Sequence, residues 1–118
     1  MKTLVIGASV NPDRYSYKAI VSLLNHNHEV IAIGNKSGNV LSVTIDTSFI
    51  SISNLHTVTL YLNPERQKTY YQYIIDLKPE RVIFNPGTEN NELYQLLDQN
   101  NIAYEVACTL VLLATNQF

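Results

Sequence analysis

The residues best equipped to do chemistry in this chain gather near its start, where Gly7-Ala8-Ser9 is followed closely by Arg14 and Lys18. A glycine turns the backbone without a Cβ clash, and small neighbours keep the turn slim. A helix that begins just beyond aims unpaired N–H groups and a partial positive charge back at the turn. Arg14 adds a planar guanidinium fork suited to phosphate, and Lys18 adds a point charge on the first helical turn. The natural occupant of such a turn is an anion. Tyr15, ahead of an expected N-cap at Ser16, is placed to cover a ligand, whereas Tyr17 shares the apolar stripe of the helix.

Two further loops carry the same kind of residue. Asn85-Pro86-Gly87-Thr88-Glu89 reads as a strand end where a glycine permits close approach and Thr88 caps a helix. Gly34-Asn35-Lys36 ends another strand, at the place where a dinucleotide-binding protein carries Asp or Glu for the ribose hydroxyls. A lysine there suits a phosphorylated ribose, or is an ordinary solvated charge. The first loop has one glycine where the G-x-G-x-x-G signature needs three, which disfavours a plain NAD site.

Other chemistry finds little support. His26, His28 and His56 stand apart in sequence, so no metal site is expected and none is assigned. Cys108 precedes the final helix, where a thiol pKa is able to fall, but a small buried hydrophobe is its ordinary role. No Ser–His–Asp set or carboxylate pair stands at a recognisable spacing. No catalytic residue is assigned, and the pattern favours binding over catalysis.

These loops need a scaffold, and the alternation of strand-type and helix-type runs supplies one. Strands are expected at Thr3–Gly7, Glu29–Ile33, Thr57–Leu62, Arg81–Asn85 and Ile102–Val106. The first helix carries Tyr17, Ile20, Val21 and Leu24 on one face and stops at Asn27. A second starts at Asn63-Pro64, with Asn63 as cap, buries Tyr70, Tyr73, Ile74 and Leu77, and ends at Lys78-Pro79. A third follows Thr88 with Leu93, Leu96 and Leu97 inward, and a short apolar helix closes the chain from Cys108 to Leu113. Ser37–Leu55 reads as a loose crossover with some β character. The expectation is an α/β, Rossmann-like, three-layer doubly wound fold with a mainly parallel five-stranded sheet ordered 3-2-1-4-5. Right-handed crossovers then align the strand C-termini along one edge, with a crevice between strands one and four. Residues 7–9, 34–36, 62–64, 85–88 and 107–109 lie on that edge.

Composition narrows the class further. The chain has 118 residues, 46% hydrophobic and 15% charged, which suits one compact domain spanning 1–118. A net charge of −2 with no Lys/Arg cluster argues against a nucleic acid partner. One cysteine excludes an intramolecular disulfide and makes a reducing compartment the default. The absence of a basic, then apolar leader and of a membrane-length apolar run argues for a soluble, cytoplasmic protein with no membrane partner.

With these residues in view, the chain resembles the small stand-alone CoA-binding domain proteins, Rossmann-like relatives of the domain that opens the succinyl-CoA synthetase alpha subunit. The matching segments are Val5–Ser9, Asn11-Pro12, Arg14–Ala19, His28–Val30, Leu60–Pro64, Ile83–Asn90 and Ala107–Leu113. The resemblance implies a site for CoA or a related nucleotide at Gly7, Ala8, Ser9, Arg14, Lys18, Asn85, Pro86 and Gly87, and a 3′-phosphorylated ribose also fits Lys36; Asn11, Tyr15, Gly34, Asn35 and Asn63, on the same loops, complete the candidate binding residues. Where relatives tend to show a Val-Asn-Pro-like turn after the second strand, this chain has Ile33-Gly34-Asn35-Lys36, and Asn27 replaces the usual helix-ending glycine. No region matches the synthetase's phosphohistidine-bearing domain, so the ligase reaction does not carry over. The expected function is CoA binding through the ligand's pyrophosphate, without catalysis. Two alternatives are an enzyme acting on an acyl-CoA or nucleotide through Cys108 or Glu89, and an interaction protein with a vestigial crevice.

Overall fold

The computed structural model describes residues 1–118 and shows a seven-stranded sheet sandwiched between helices. Its elements are β1 (Thr3–Ile6), α1 (Tyr15–Asn25), β2 (Val30–Ile33), β3 (Gly38–Val40), β4 (Val43–Asp46), β5 (Thr57–Leu60), α2 (Pro64–Gln67), α3 (Tyr71–Leu77), β6 (Arg81–Phe84), α4 (Asn91–Gln99), β7 (Ala103–Val106) and α5 (Thr109–Ala114). A single 3₁₀ turn, Lys68–Tyr70, joins α2 to α3. The strand order is β3-β4-β2-β1-β5-β6-β7, and all neighbours are parallel except the β3–β4 hairpin.

Strand alternation divides the core between two faces. Leu4, Ile6, Ile33, Val58, Leu60, Val82 and Phe84 pack with Ile74, Leu93 and Leu97 of α3 and α4. Val5, Ala32 and Ile45 pack on the opposite face with Ile20 and Leu23 of α1 and Leu113 of α5. The central strands β1 and β5 are buried at every position, including Thr3, Thr57 and Thr59. That is the pattern of parallel strands covered on both sides.

The expected five-stranded sheet ordered 3-2-1-4-5 is corrected by these pairings. Thr57–Leu60, expected as the outer third strand, lies beside β1 in the register Thr3↔Thr57 to Ile6↔Leu60. The place beside β2 belongs to β4, through Ala32↔Ile45 and Ile33↔Asp46. The segment taken for a loose crossover is therefore a hairpin, with Val40 opposite Val43 across a two-residue turn. From there residues 47–56 cross the α3 face, with Leu55 in the core and the partly buried Ile50 and Ile52 packed against it. Strands of three and four residues, with polar Thr44 and Asp46 in the second, give too short an alternation to read against loop sequence. The winding reverses between β1 and β5, and the crevice moves there from its expected position between the first and the Arg81 strands.

Helix ends show where the local signals held. Asn63 caps α2 by accepting from Arg66 N at 2.9 Å, with Pro64 first in the helix. Asn27 and Lys78 adopt left-handed φ values of 65° and 50° where the first helix and α3 stop. Two caps are corrected. Ser16 lies inside α1, whose N-cap is Arg14 with no side-chain cap bond, and Asn90 rather than Thr88 caps α4 by accepting from Glu92 N and Leu93 N. Thr88 instead donates its hydroxyl to the Asn85 carbonyl at 2.7 Å.

Phe84 is fully buried and meets the rings of Tyr94 and Tyr104 edge-on at 4.7 and 5.8 Å. Removing it opens a cavity under α4 and β7 that their rigid packing closes only in part. Phe84→Ala is expected to lower unfolding free energy by about 3–5 kcal/mol, measured by urea denaturation. A loss below about 1 kcal/mol would contradict this picture of the core.

Candidate functional site

At the C-terminal ends of β1, β2, β5 and β6 lies an open crevice of about 460 Å³. Its floor is backbone. Gly7, at φ +91°, lets the chain leave β1 against β5, where an added Cβ would press on Tyr61 and Leu62 at 3.0 Å. Gly34 lies so close to the Ala8 carbonyl oxygen that no side chain fits between them. Both Gly7 N and Ala8 N donate to the Ile33 carbonyl, at 2.9 and 3.0 Å, which fastens the first loop to the end of β2. The N–H groups of Ser9 and Val10 donate to nothing within the chain. They sit beside the uncapped N-terminus of α1.

The crevice unites most of the residues singled out in the sequence: Gly7, Ala8, Ser9, Arg14, Tyr15, Gly34, Asn35, Lys36, Asn63, Pro86 and Gly87 all line it. Asn11, Lys18 and Asn85 do not. Asn11 shapes the first loop, its N–H donating to Ser9 Oγ at 3.1 Å and its Oδ1 accepting from Asp13 N at 3.0 Å. Lys18 Nζ lies 5.4 Å from the centre of the Tyr15 ring, which is 68% exposed. Asn85 is buried, with its Nδ2 donating to Thr59 Oγ1 and the Leu60 carbonyl at 2.6 and 2.9 Å. Its Oδ1 accepts from Thr109 N at 2.9 Å and so closes the start of α5. Its amide is fully used in joining β5, β6 and α5.

Leu62 and Thr88, expected on the sheet edge, also line it, and Val10, Ser16, Tyr61, Arg66 and Tyr70, which the sequence did not assign to the site, complete the wall. Arg66 and Tyr70 had a readable signal. They stand four residues apart after the Asn63-Pro64 helix start, and that spacing puts them on one face at the sheet edge. The lining therefore holds three cations, Arg14, Lys36 and Arg66, and no carboxylate. In a chain of net charge −2 this concentrates positive potential in one concavity.

Buried amides hold the wall in place. Gln67, fully buried, donates through Nε2 to the carbonyls of Leu62 and Thr88, both at 2.8 Å, and accepts from Asn90 Nδ2 at 2.9 Å. One side chain thus ties the loop after β5 to the loop after β6. Tyr61 differs. Its hydroxyl is buried with no hydrogen-bond partner, and burial pushes its pKa up to about 12.

Neither Cys108 nor Glu89 lines the crevice. Cys108 is the half-buried N-cap residue of α5, and Glu89 Oε1 accepts from Gly87 N at 2.7 Å. None of the histidines lines it either: His28 Nδ1 pairs with the Met1 amine, His26 Nδ1 with the Ser22 carbonyl, and His56 Nδ1 with Thr57 Oγ1. No three His, Cys, Asp or Glu side chains converge on a common point, and no helix is long and apolar enough to cross a membrane.

The chain resembles known proteins both in sequence family and in fold. A family model described as a CoA binding domain matches residues 1–114. A crystal structure described as that of an uncharacterized protein is 49% identical, over 99% of this chain and 97% of its own, with a TM-score of 0.96. A Thermus thermophilus protein matches at 16% identity and TM-score 0.85 over 99% of this chain and 90% of its own. A hypothetical protein from Pyrococcus horikoshii OT3 matches at 24% identity and TM-score 0.85 over 93% and 79%. These last two share the fold. No curated protein matches the chain.

Two outcomes test this account of the site. Gln67→Leu leaves the Leu62 and Thr88 carbonyls without their amide donor and removes one of the two acceptors of Asn90 Nδ2, so it is expected to cost about 2–5 kcal/mol in chemical denaturation. Full stability in that variant would contradict the tie. Tyr61 has a folded pKa above its unfolded value of 10.0, so the unfolded state loses the proton first. Its contribution to stability is intact below about pH 10 and is lost as pH rises toward 12. Tyr61→Phe is expected to retain or gain stability at neutral pH and to show a shallower decline between pH 10 and 12, followed by thermal melts across that range.

Proposed function

Since this chain belongs to the CoA-binding domain family, we propose that the crevice between β1 and β5 binds CoA, with the pyrophosphate at the first loop. One observation carries this reading: the cavity is walled by Arg14, Lys36 and Arg66 without a single carboxylate, beside the free N–H groups of Ser9 and Val10. Backbone N–H groups at a helix start, with an arginine fork alongside, suit a pyrophosphate. Lys36, at the end of β2, is placed for a phosphorylated ribose, which favours CoA over NAD. Asn35, Asn63 and the Pro86-Gly87 turn supply the remaining polar and close-packed wall, with Tyr15 over the entrance. Asn11 and Lys18 act at one remove, by shaping the first loop and steadying Tyr15, and Asn85 by fixing the strand ends behind the wall.

We read the protein as a binder rather than an enzyme. The thiol of Cys108 stands off the crevice and the carboxylate of Glu89 is turned onto its own loop. A sensor or carrier of CoA needs only the grip.

Titration calorimetry with CoA, dephospho-CoA, NADP and NAD tests the reading. CoA is expected to bind most tightly, and Arg14→Ala to weaken it at least about tenfold, from loss of a charge-assisted phosphate contact of about 1.5–3 kcal/mol. No heat with any CoA species up to millimolar concentration would falsify the assignment.

A further inference from the structure

Gly7 and Gly87 take positive φ, a conformation that itself calls for glycine, whereas Gly34 and Gly38 do not. Gly38 opens β3, where a glycine weakens the strand and a branched side chain would suit the pleat better. What it provides is room. A Cβ at Gly38 would stand 2.6 Å from Val10 Cγ1, well inside contact distance, just as a Cβ at Gly34 would press on the Ala8 carbonyl oxygen. Gly34 therefore receives Ala8 and Gly38 receives Val10, with Ser9 between them. The stretch joining the two glycines carries Asn35 and Lys36, which line the crevice together with Ser9 and Val10.

We infer that Gly38 is a positioning residue for the anion site: by receiving Val10 it holds the backbone that carries the free N–H groups of Ser9 and Val10 in register with Lys36. The proposal rests on the CoA reading above and adds a residue that is not in the crevice lining, so its effect must pass through Val10. The hairpin is the stiff partner in this contact. Its β4 strand is paired to β2 through Ala32 and Ile33, and Val40 and Val43 are buried in the core beside Ile20 and Leu23. Val10 is branched at Cβ and has few rotamers to turn into, so a methyl group at position 38 is relieved by movement of the first loop. Phosphate contacts from backbone N–H groups are directional, and a small displacement of the loop weakens them. A loop held in place before the ligand arrives also loses little freedom on binding.

Gly38→Ala, Val10→Ala and the double variant form a cycle that isolates the contact. Once residue 10 lacks its γ carbons, the nearest atom to the added methyl group is the residue 10 Cβ at 3.9 Å, an ordinary contact. In titration calorimetry, Gly38→Ala is expected to weaken CoA about tenfold when residue 10 is valine, and less than about twofold when it is alanine. In the free protein, the Ser9 amide resonance is expected to move in Gly38→Ala and to return toward its wild-type position in the double variant, followed by proton–nitrogen NMR. Wild-type CoA affinity in Gly38→Ala, an equal loss in both backgrounds, or an unmoved Ser9 resonance overturns the proposal. Failure of the CoA reading looks different: the wild type then binds no CoA species. The Ser9 resonance then decides alone, because it reports the loop without any ligand.

Discussion

The crevice depends on one constraint above the others, the buried tie that Gln67 makes between the loops after β5 and β6. Neither loop has a regular partner of its own, and both carry carbonyls that would otherwise point into the protein unsatisfied. The Gln67 amide accepts one bond from Asn90 and gives one to each carbonyl, so both of its N–H donors and its oxygen are engaged in holding two walls together. Asn90 in turn caps α4, which couples that helix start to the same point. Asn85 does a matching job one layer deeper, where its amide joins β5 and β6 to the start of α5. Two amides, each fully satisfied, set the geometry of one side of the site.

The other side is set by close backbone approach. Gly34 meets the Ala8 carbonyl, and the Ile33 carbonyl takes both Gly7 N and Ala8 N, so the first loop is drawn down onto the end of β2. Its next N–H groups are left facing outward and unspent. A rigid wall and a polar floor with free donors meet at the point where the winding of the sheet reverses, and the cations of three separate elements converge there. The fold does not produce this by charge alone, because the chain as a whole is slightly acidic. It produces it by leaving every carboxylate off the lining.

Much of this was legible in the residues. The strand–turn–helix at Gly7, the Asn63-Pro64 helix start, the stop at Asn27 and the sheet-edge loops all follow from local rules of backbone sterics and capping, and the structure keeps them. Other signals were ambiguous at the same local level. Thr88 and Asn90 are both good caps two residues apart, and only the pull of the Asn85 carbonyl on Thr88 decides between them. The hairpin β3–β4 was unreadable for a different reason, since its strands are short and its pairing with β2 covers two positions.

The sequence by itself determined an alternating α/β chain, which loops would gather at one edge, and which small and basic residues those loops would bring. These properties depend on the nearest neighbours of each residue, and nearest neighbours are what a sequence displays. Tertiary structure alone decided that Thr57–Leu60 sits beside β1, that Asn85 is spent on neighbouring strands, and that Arg66 and Tyr70 line the crevice. Each of these rests on contacts between segments distant along the chain, and a short strand is compatible with several such pairings until the whole core chooses among them.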